Sequence, residues 1–375
     1  MKTKILQEKI QAAVSNIEKI TGKDATLPIL NNILLKLEKN NLIMSATNLE
    51  TGILWKTTSK NESEGDIVLP AQIFSALIGS FPGGVVEIEV NEKTTTIIND
   101  KKKVKLNGYS TDEFPIIPIN NQGEFITIRA DLFCQSLARV VNFTGNSSVK
   151  PEITGVYMLF SNDSIKFVAT DSFRLGEQKI NQKNKSLSKE YPIIIPLRAA
   201  REIISVFQNN KNNIDIYFNQ GRITINYVDN DGGGEIQFTS RLIDGDFPDY
   251  QAIIPASFVT RGVFQKKDLL NQLKPAGIFS GKNNEVEFRI DVNRLLMTIF
   301  SRSADFGDYE GGVEIKDLSG REISIVFNLR FLVDGLNVIK DDECVFEFSG
   351  NDGPCVLKSA NDENFIYIIM PIKKY

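Results

Sequence analysis

The strongest constraint on this chain is that it repeats itself. A strand at 67–70, a helical stretch at 71–81 and strands at 85–90 and 94–98 form one block. The same order returns at 193–196, 197–207, 214–218 and 222–227, and again at 323–327, 328–339, 344–348 and 355–358. Pro70, Pro196 and Asn328 mark the helix starts, where a missing N–H is no loss and a short polar side chain caps the first turn. They lie 126 and 132 residues apart, so one unit is about a third of the 375 residues.

A second block has the same period. Helical patterns at 6–20, 130–143 and 266–279 each precede two alternating strands: 33–37 with 42–46, 156–160 with 165–169, and 286–290 with 295–300. Polar turns at 38–41, 161–164 and 291–294 suit hairpins. Ala46-Thr47-Asn48 matches Ala169-Thr170-Asp171 at a distance of 123 residues. Two units also close on an acidic Phe-Pro corner, Asp112-Glu113-Phe114-Pro115 and Asp244-Gly245-Asp246-Phe247-Pro248-Asp249-Tyr250. The expectation is an α+β fold of three tandem domains, 1–122, 123–253 and 254–375, each with two helices covering about eight strands.

Composition narrows the function. A hydrophobic content of 42% sustains a core in each domain. The chain has no histidine, which removes His triads, Cys-His pairs, His-metal sites and imidazole acid–base work. An enzyme working through carboxylates, lysine or serine stays open on these residues, while no metal or cofactor is expected. Asp171, Asp246 and Asp249 invite a carboxylate metal cluster, the reading that would make the chain an enzyme. They fall at strand ends and turns, however, where Asp has structural uses. Gly232-Gly233-Gly234 lacks the following helix and Lys-Ser/Thr of a phosphate loop and reads as a hairpin. Cys134, Cys344 and Cys355 form no CxxC pair and are expected as buried thiols in a reducing compartment. With no apolar segment at the start and no run near the ~18 apolar residues of a membrane span, a cytoplasmic protein without a membrane partner is expected.

The net charge of −4 argues at face value against a nucleic-acid partner. The charge is segregated, however. The six helical stretches carry twelve basic and six acidic residues, which leaves about −10 for everything else. Basic helices over an acidic remainder let such a protein meet a phosphate backbone without reading sequence. No aromatic interleaving, zinc-finger or RNP pattern accompanies them, so a duplex-backbone reader is the nucleic-acid mode these residues support.

Four motifs carry a resemblance: Thr26-Leu27-Pro28-Ile29-Leu30 with Asn32; Ala169-Thr170-Asp171-Ser172-Phe173-Arg174-Leu175; Phe247-Pro248-Asp249-Tyr250; and Tyr367-Ile368-Ile369-Met370-Pro371-Ile372. In this order, on a threefold repeat, the whole chain resembles the bacterial sliding clamps, the beta subunits of DNA polymerase III. The resemblance implies a non-catalytic, homodimeric processivity factor. Its domains would close a ring around double-stranded DNA, helices lining the hole and sheets outside. It would tether the replicative polymerase, the clamp loader and other DNA enzymes. A monomeric binding scaffold with the same domains and no ring is the alternative. Twelve helices abreast at about 8–10 Å make a ring whose opening, after roughly 10 Å for helix thickness, is about 25 Å. That admits a B-DNA duplex, whereas the helices of one chain leave almost no hole.

Site residues follow from the resemblance and the charge pattern. Lys9, Lys19, Lys23, Arg139, Lys150, Arg198, Arg201, Lys266, Lys267 and Lys274 are expected to face DNA. Ring closure is implied to join Lys103, Val104, Lys105 and Leu106 of one copy to Ile278, Phe279, Asp305, Asp308 and Glu310 of the other, basic against acidic around an apolar center. The resemblance also implies a pocket for partner peptides. It comprises Ile153, Thr170, Ser172, Phe173, Arg174, Leu175, Pro248, Ile253, Pro354, Ile369, Met370, Pro371 and Ile372, with Arg174 as a donor to peptide carbonyls. The chain departs from the family in four places. Ser172-Phe173 stands for a common Gly-His, Ala252 for an arginine at the rim, and Asp24 for an arginine that Lys23 would replace. The fourth is the tail Lys373-Lys374-Tyr375, which would fold over the pocket.

Overall fold

The computed structural model describes residues 1–22, 27–184, 187–219, 221–229 and 234–373. Among these residues six α-helices form, all on the predicted stretches: α1 Gln7–Ile17, α2 Ala71–Gly79, α3 Ala130–Val140, α4 Leu197–Phe207, α5 Lys266–Ala276 and α6 Leu329–Val338. Helices α1, α3 and α5 each tighten into a 3₁₀ turn at Glu18–Ile20, Val141–Phe143 and Gly277–Phe279, which accounts for their longer helical pattern. Pro70, Pro196 and Asn328 occupy the N-cap positions of α2, α4 and α6. The Asn328 side chain accepts the Arg330 N–H at 3.0 Å. Helix α4 shows why such stretches fold this way. Ala199, Ala200, Ile203, Val206 and Phe207 recur at helical spacing and are buried, while Arg198 and Arg201 lie outside.

The chain gathers into two compact units. Unit 1 comprises Met1–Gln135 with Lys183–Asp244, and unit 2 comprises Ser136–Gln182 with Gly245–Tyr375. Unit 1 holds a five-stranded sheet in the order Lys60–Ser63, Lys2–Leu6, Val85–Asn91, Thr94–Asn99, Lys102–Asn107. Its eight-stranded sheet runs Phe125–Arg129, Asn213–Asn219, Arg222–Asp229, Gly234–Arg241, Thr51–Thr58, Asn41–Thr47, Asn32–Glu38, Gly65–Pro70. In unit 2 successive strands run Gly155–Phe160, Ser164–Thr170, Arg174–Asn181, Phe365–Ile369, Cys355–Ser359, Glu343–Phe348, Thr260–Gln265, Asp317–Gly320. A four-stranded sheet runs Gly307–Glu314, Leu296–Ser303, Glu285–Asp291, Ile323–Asn328.

Each repeat has a three-strand meander, one strand more than the sequence pattern gave. One rule governs its third strand. Gly234–Arg241 pairs antiparallel with Thr51–Thr58, a strand of the hairpin set in the first repeat. Phe365–Ile369 pairs in the same way with Arg174–Asn181, the corresponding strand of the second repeat. These pairings are why the units cut through the middle third of the chain. They also leave one member of each set at a sheet edge: Lys102–Asn107 and Gly307–Glu314.

After its third strand every meander returns to the strand that precedes the second helix of its repeat. Tyr109 N–H donates to the Val68 carbonyl at 2.9 Å, Ile243 N–H to Ile194 at 2.9 Å and Ile372 N–H to Val326 at 2.7 Å. The three cysteines are free and buried, and burial pushes the thiols of Cys134 and Cys344 up to about 12.

Candidate functional site

Strand alternation sorts the predicted pocket residues of unit 2 onto two faces. Leu175 is paired with Ile368, and with Val168, Tyr250 and Val356 they form a buried apolar cluster. Tyr157, Phe247, Ile254, Phe258 and Ile366 pack on that cluster, half-buried. Phe247 of the acidic corner stacks on Tyr157 with ring centers 4.8 Å apart. Tyr250 donates its hydroxyl to Glu177 at 2.5 Å, and burial followed by that carboxylate raises its phenol above the ordinary value.

The cluster's rim is held by main-chain bonds. The Thr170 hydroxyl donates to the Arg174 carbonyl at 2.7 Å and accepts the Ser172 N–H at 3.1 Å. Ser172 takes a left-handed φ of 76°, where the family's glycine would sit without strain. Met370 N–H donates to the Phe173 carbonyl at 2.8 Å. Phe173 is 63% exposed and Ile253 42% exposed, with Pro248 also exposed and Pro354, Met370, Pro371 and Ile372 half-buried. Ile153 is buried, and its carbonyl accepts the Gly145 N–H at 2.8 Å. Ile372 is anchored on Val326, so the chain leaves the rim along Ile323–Asn328; Lys374 and Tyr375 lie outside the described residues.

Three expectations require correction. Ile369 pairs with Arg174, on the face opposite Leu175, so Ile368 rather than Ile369 belongs to the apolar cluster. Arg174 is already engaged within the chain: Nε donates to Asp171 at 2.9 Å, Nη1 to Asp334 at 2.5 Å and Nη2 to the Asn142 carbonyl at 3.3 Å, with the guanidinium over the Phe331 ring. Arg139 does not face solvent. It is 9% exposed, donates to Gln178 at 2.5 Å and Asp362 at 2.7 Å, and stacks 4.4 Å from the Phe365 ring center. Asp171, one of the three carboxylates of the enzyme reading, holds its own turn, its Oδ1 accepting the N–H groups of Phe173 and Arg174 at 3.0 Å.

The repeat supplies an internal comparison. In unit 1 Arg241 N–H donates to the Glu50 carbonyl at 2.9 Å, as Met370 does to Phe173. Registers then align Gly52 with Leu175 and Thr239 with Ile368. Where unit 2 has Leu175, Ile368, Phe173 and Met370, unit 1 has Gly52, Thr239, Glu50 and Arg241. The backbone frame is shared, and the exposed apolar surface belongs to unit 2.

Of the basic residues, α1 and α4 bring several together in unit 1. Lys9 and Lys19 line a crevice of about 600 Å³ with Ser205, Asn209 and Asn210. Lys19 donates to the Ser205 hydroxyl at 2.8 Å, Lys9 to Thr58 at 2.9 Å, and Arg198 to Glu202 at 2.8 Å and the Thr21 carbonyl at 3.3 Å. Arg201 is exposed. In unit 2 Lys150, Lys267 and Lys274 are exposed, while Lys266 is half-buried and donates to the Ile339 carbonyl at 2.9 Å. Lys23 lies outside the described residues.

The predicted closure residues fall on or beside the two edge strands. Lys103 and Lys105 are exposed, and Val104 and Leu106 are half-buried on the other side of Lys102–Asn107. Asp308 and Glu310 are exposed on Gly307–Glu314, with Asp305 just before it. Ile278 is 69% exposed, and Phe279 is half-buried beside Gly307. Sequence reasoning missed Phe306, 75% exposed between these acids. The signal was one aromatic in an otherwise polar turn.

Comparison with known proteins gives one pattern along the chain. Residues 1–118 match the family described as DNA polymerase III beta subunit, N-terminal domain, residues 127–249 its central domain and residues 251–373 its C-terminal domain. Proteins named beta sliding clamp from Staphylococcus epidermidis and Staphylococcus aureus are each 26% identical over 359 residues, covering 93% of both chains. Among solved structures, the DNA polymerase sliding clamp of Bacillus subtilis superposes with a TM-score of 0.92 at 25% identity, covering 100% of both chains. The DNA polymerase III beta subunit of Thermotoga maritima does so with a TM-score of 0.92 at 23% identity, again over 100% of both chains.

Proposed function

The chain belongs to the DNA polymerase III beta subunit family, and from that premise we propose that it is a non-catalytic sliding clamp. Two copies, each of three domains at 1–122, 123–253 and 254–375, close head to tail into a ring around duplex DNA. The ring slides because its contacts are few and made to the backbone, through Lys9, Lys19, Arg198 and Arg201 of unit 1 and Lys150, Lys267 and Lys274 of unit 2. The apolar face around Leu175, Ile368, Phe173, Ile253 and Met370 takes short apolar peptides of the polymerase, the clamp loader and other DNA enzymes.

The observation that carries the ring is the pair of edge strands. Inside the chain the other third meander strands are already paired by one rule, so its next application joins Lys102–Asn107 of one copy to Gly307–Glu314 of another. Lys103 and Lys105 then meet Asp308 and Glu310, and Val104 and Leu106 meet Ile278, Phe279 and Phe306. This heterologous contact closes when two copies make it twice.

Sedimentation at micromolar concentration tests the reading, and a species of twice 42.0 kDa is expected. After loading, the protein should stay on a nicked circular plasmid and leave once the plasmid is cut. A stable monomer that leaves circular and linear DNA at the same rate would overturn the ring in favor of a monomeric scaffold.

A further inference from the structure

The unit 1 counterpart of the peptide surface has its own chemistry. Gly52 stands where unit 2 has Leu175, and a Cβ there would come within 2.6 Å of the Ile117 side chain. Ile117 therefore fills the well from above. What remains open is the rim, and it is charged. Arg241 replaces Met370, Glu50 replaces Phe173, and Arg222, which lies directly opposite Arg241 in the sheet, occupies the place of Pro354.

Two arginines paired across neighboring strands repel one another. Glu50 approaches Arg241 at 3.5 Å, both side chains being more than half exposed. Among the described residues no carboxylate lies within ion-pair distance of Arg222. Burial, and then the charge of Arg241, hold its guanidinium below the ordinary value. Both arginines share the face of Gly52 and Thr239, the reverse of that on which Thr51 meets Glu202 of α4. They therefore stand on the side of the sheet away from α4.

We infer that this rim is a second docking site, for an acidic peptide segment whose carboxylates bridge Arg222 and Arg241. A planar carboxylate matches the guanidinium fork and relieves the repulsion between the two cations. The site goes beyond the apolar pocket of unit 2 but borrows from it the expectation that an extended peptide lies along this frame.

Fluorescence polarization with a fluorescein-labeled hexaglutamate peptide at low salt tests the site. One saturable site per chain is expected, weakened at least tenfold in the Arg222→Ala/Arg241→Ala variant and tightened about threefold in Glu50→Gln, which keeps both arginines and removes their competitor. Arg294→Ala/Arg321→Ala, which removes two exposed arginines that belong to neither site, should bind as the unaltered protein does. A separate titration with a hexapeptide carrying adjacent leucine and phenylalanine should be unchanged in every variant, so failure of the unit 2 pocket would show there alone. Equal hexaglutamate binding with and without the two arginines would overturn the inference, as would weaker binding in Glu50→Gln. A short DNA duplex that competes with hexaglutamate and depends equally on both arginines would make the rim a phosphate reader and overturn it too.

Discussion

Met370 donates its backbone N–H to the carbonyl oxygen of Phe173 across 2.8 Å. This bond stitches the chain's last strand to the Thr170 turn and holds two apolar side chains at one rim. Because main-chain bonds set the geometry, the Phe173 ring needs no packing of its own to stay exposed. A surface prepared in this way binds without first paying the entropy of ordering a loop.

The first prediction separates binding from folding. Phe173→Ala with Ile253→Ala removes two exposed groups and should leave stability within about 0.5 kcal/mol. Affinity for the leucine-phenylalanine hexapeptide should fall at least tenfold, or about 1.4 kcal/mol. Leu175→Ala, by contrast, hollows a buried cluster and should cost roughly 2–5 kcal/mol of stability. Calorimetry beside the titration checks both, and unchanged affinity in the double variant would remove Phe173 from the pocket.

The second prediction concerns Arg139 and Asp362. Burial opposes ionization of Asp362, but Arg139 and the Asn364 N–H outweigh it and hold the carboxyl below the usual range. A depressed carboxylate stabilizes the fold above its unfolded pKa, about 3.9, and that stability is lost as pH falls through the folded value. Asp362→Asn should therefore be less stable than the unaltered protein at neutral pH, with the gap closing in acid. Arg139→Ala should cost about 1–3 kcal/mol and leave DNA affinity unchanged; a reduced salt slope of DNA binding would restore its predicted role.

The sequence made the repeat and the helices legible because each rests on a local period, whereas the closure residues at the two edges came only from the family resemblance. It misplaced Arg139, since a lone arginine on a helix looks the same whether it meets water or the Gln178–Asp362 pair from distant strands. It took Ile369 for Ile368 because adjacent isoleucines carry no phase; only pairing with Arg174 and Leu175 assigns their faces. The polar counterpart of the pocket, Gly52 with Arg222 and Arg241, was hidden for a related reason. Its members are dispersed in the chain and meet through the pairing of Gly234–Arg241 with Thr51–Thr58.

Glu202 gives the third prediction. Burial raises its carboxyl above the usual range, and Thr51 and Arg198 pull it back only in part. A raised carboxylate contributes stability at low pH that is lost as pH rises through the folded value. Glu202→Gln should therefore raise the melting midpoint at pH 8, by a free energy on the order of 1 kcal/mol, with a smaller gain near pH 4. An equal or greater gain at pH 4 would show that burial does not raise the Glu202 carboxyl.

The exposed cations make the fourth. If Arg201, Lys267 and Lys274 each neutralize one phosphate, the triple alanine variant should flatten the log–log salt dependence of DNA binding by at most about 3, at roughly 0.9 per contact. An unaltered slope would move the DNA path away from α4 and α5.

The fifth prediction tests ring closure through charge alone. Lys103→Glu with Lys105→Glu places like charges against Asp308 and Glu310, and this variant should sediment as a monomer at concentrations where the unaltered protein is dimeric. Asp308→Lys with Glu310→Lys should do the same. Like charges that lie opposite in a sheet repel, whereas opposite charges stabilize each pair by about 0.2–1 kcal/mol. A mixture of the two variants contains one native junction and one doubly reversed junction, both of opposite charge, so it should form closed heterodimers. The quadruple variant restores opposite charge at both junctions and should recover the closed dimer. All four positions are exposed, so folding should be untouched. A quadruple variant that stays monomeric while folded would show that these strands do not face each other across the junction.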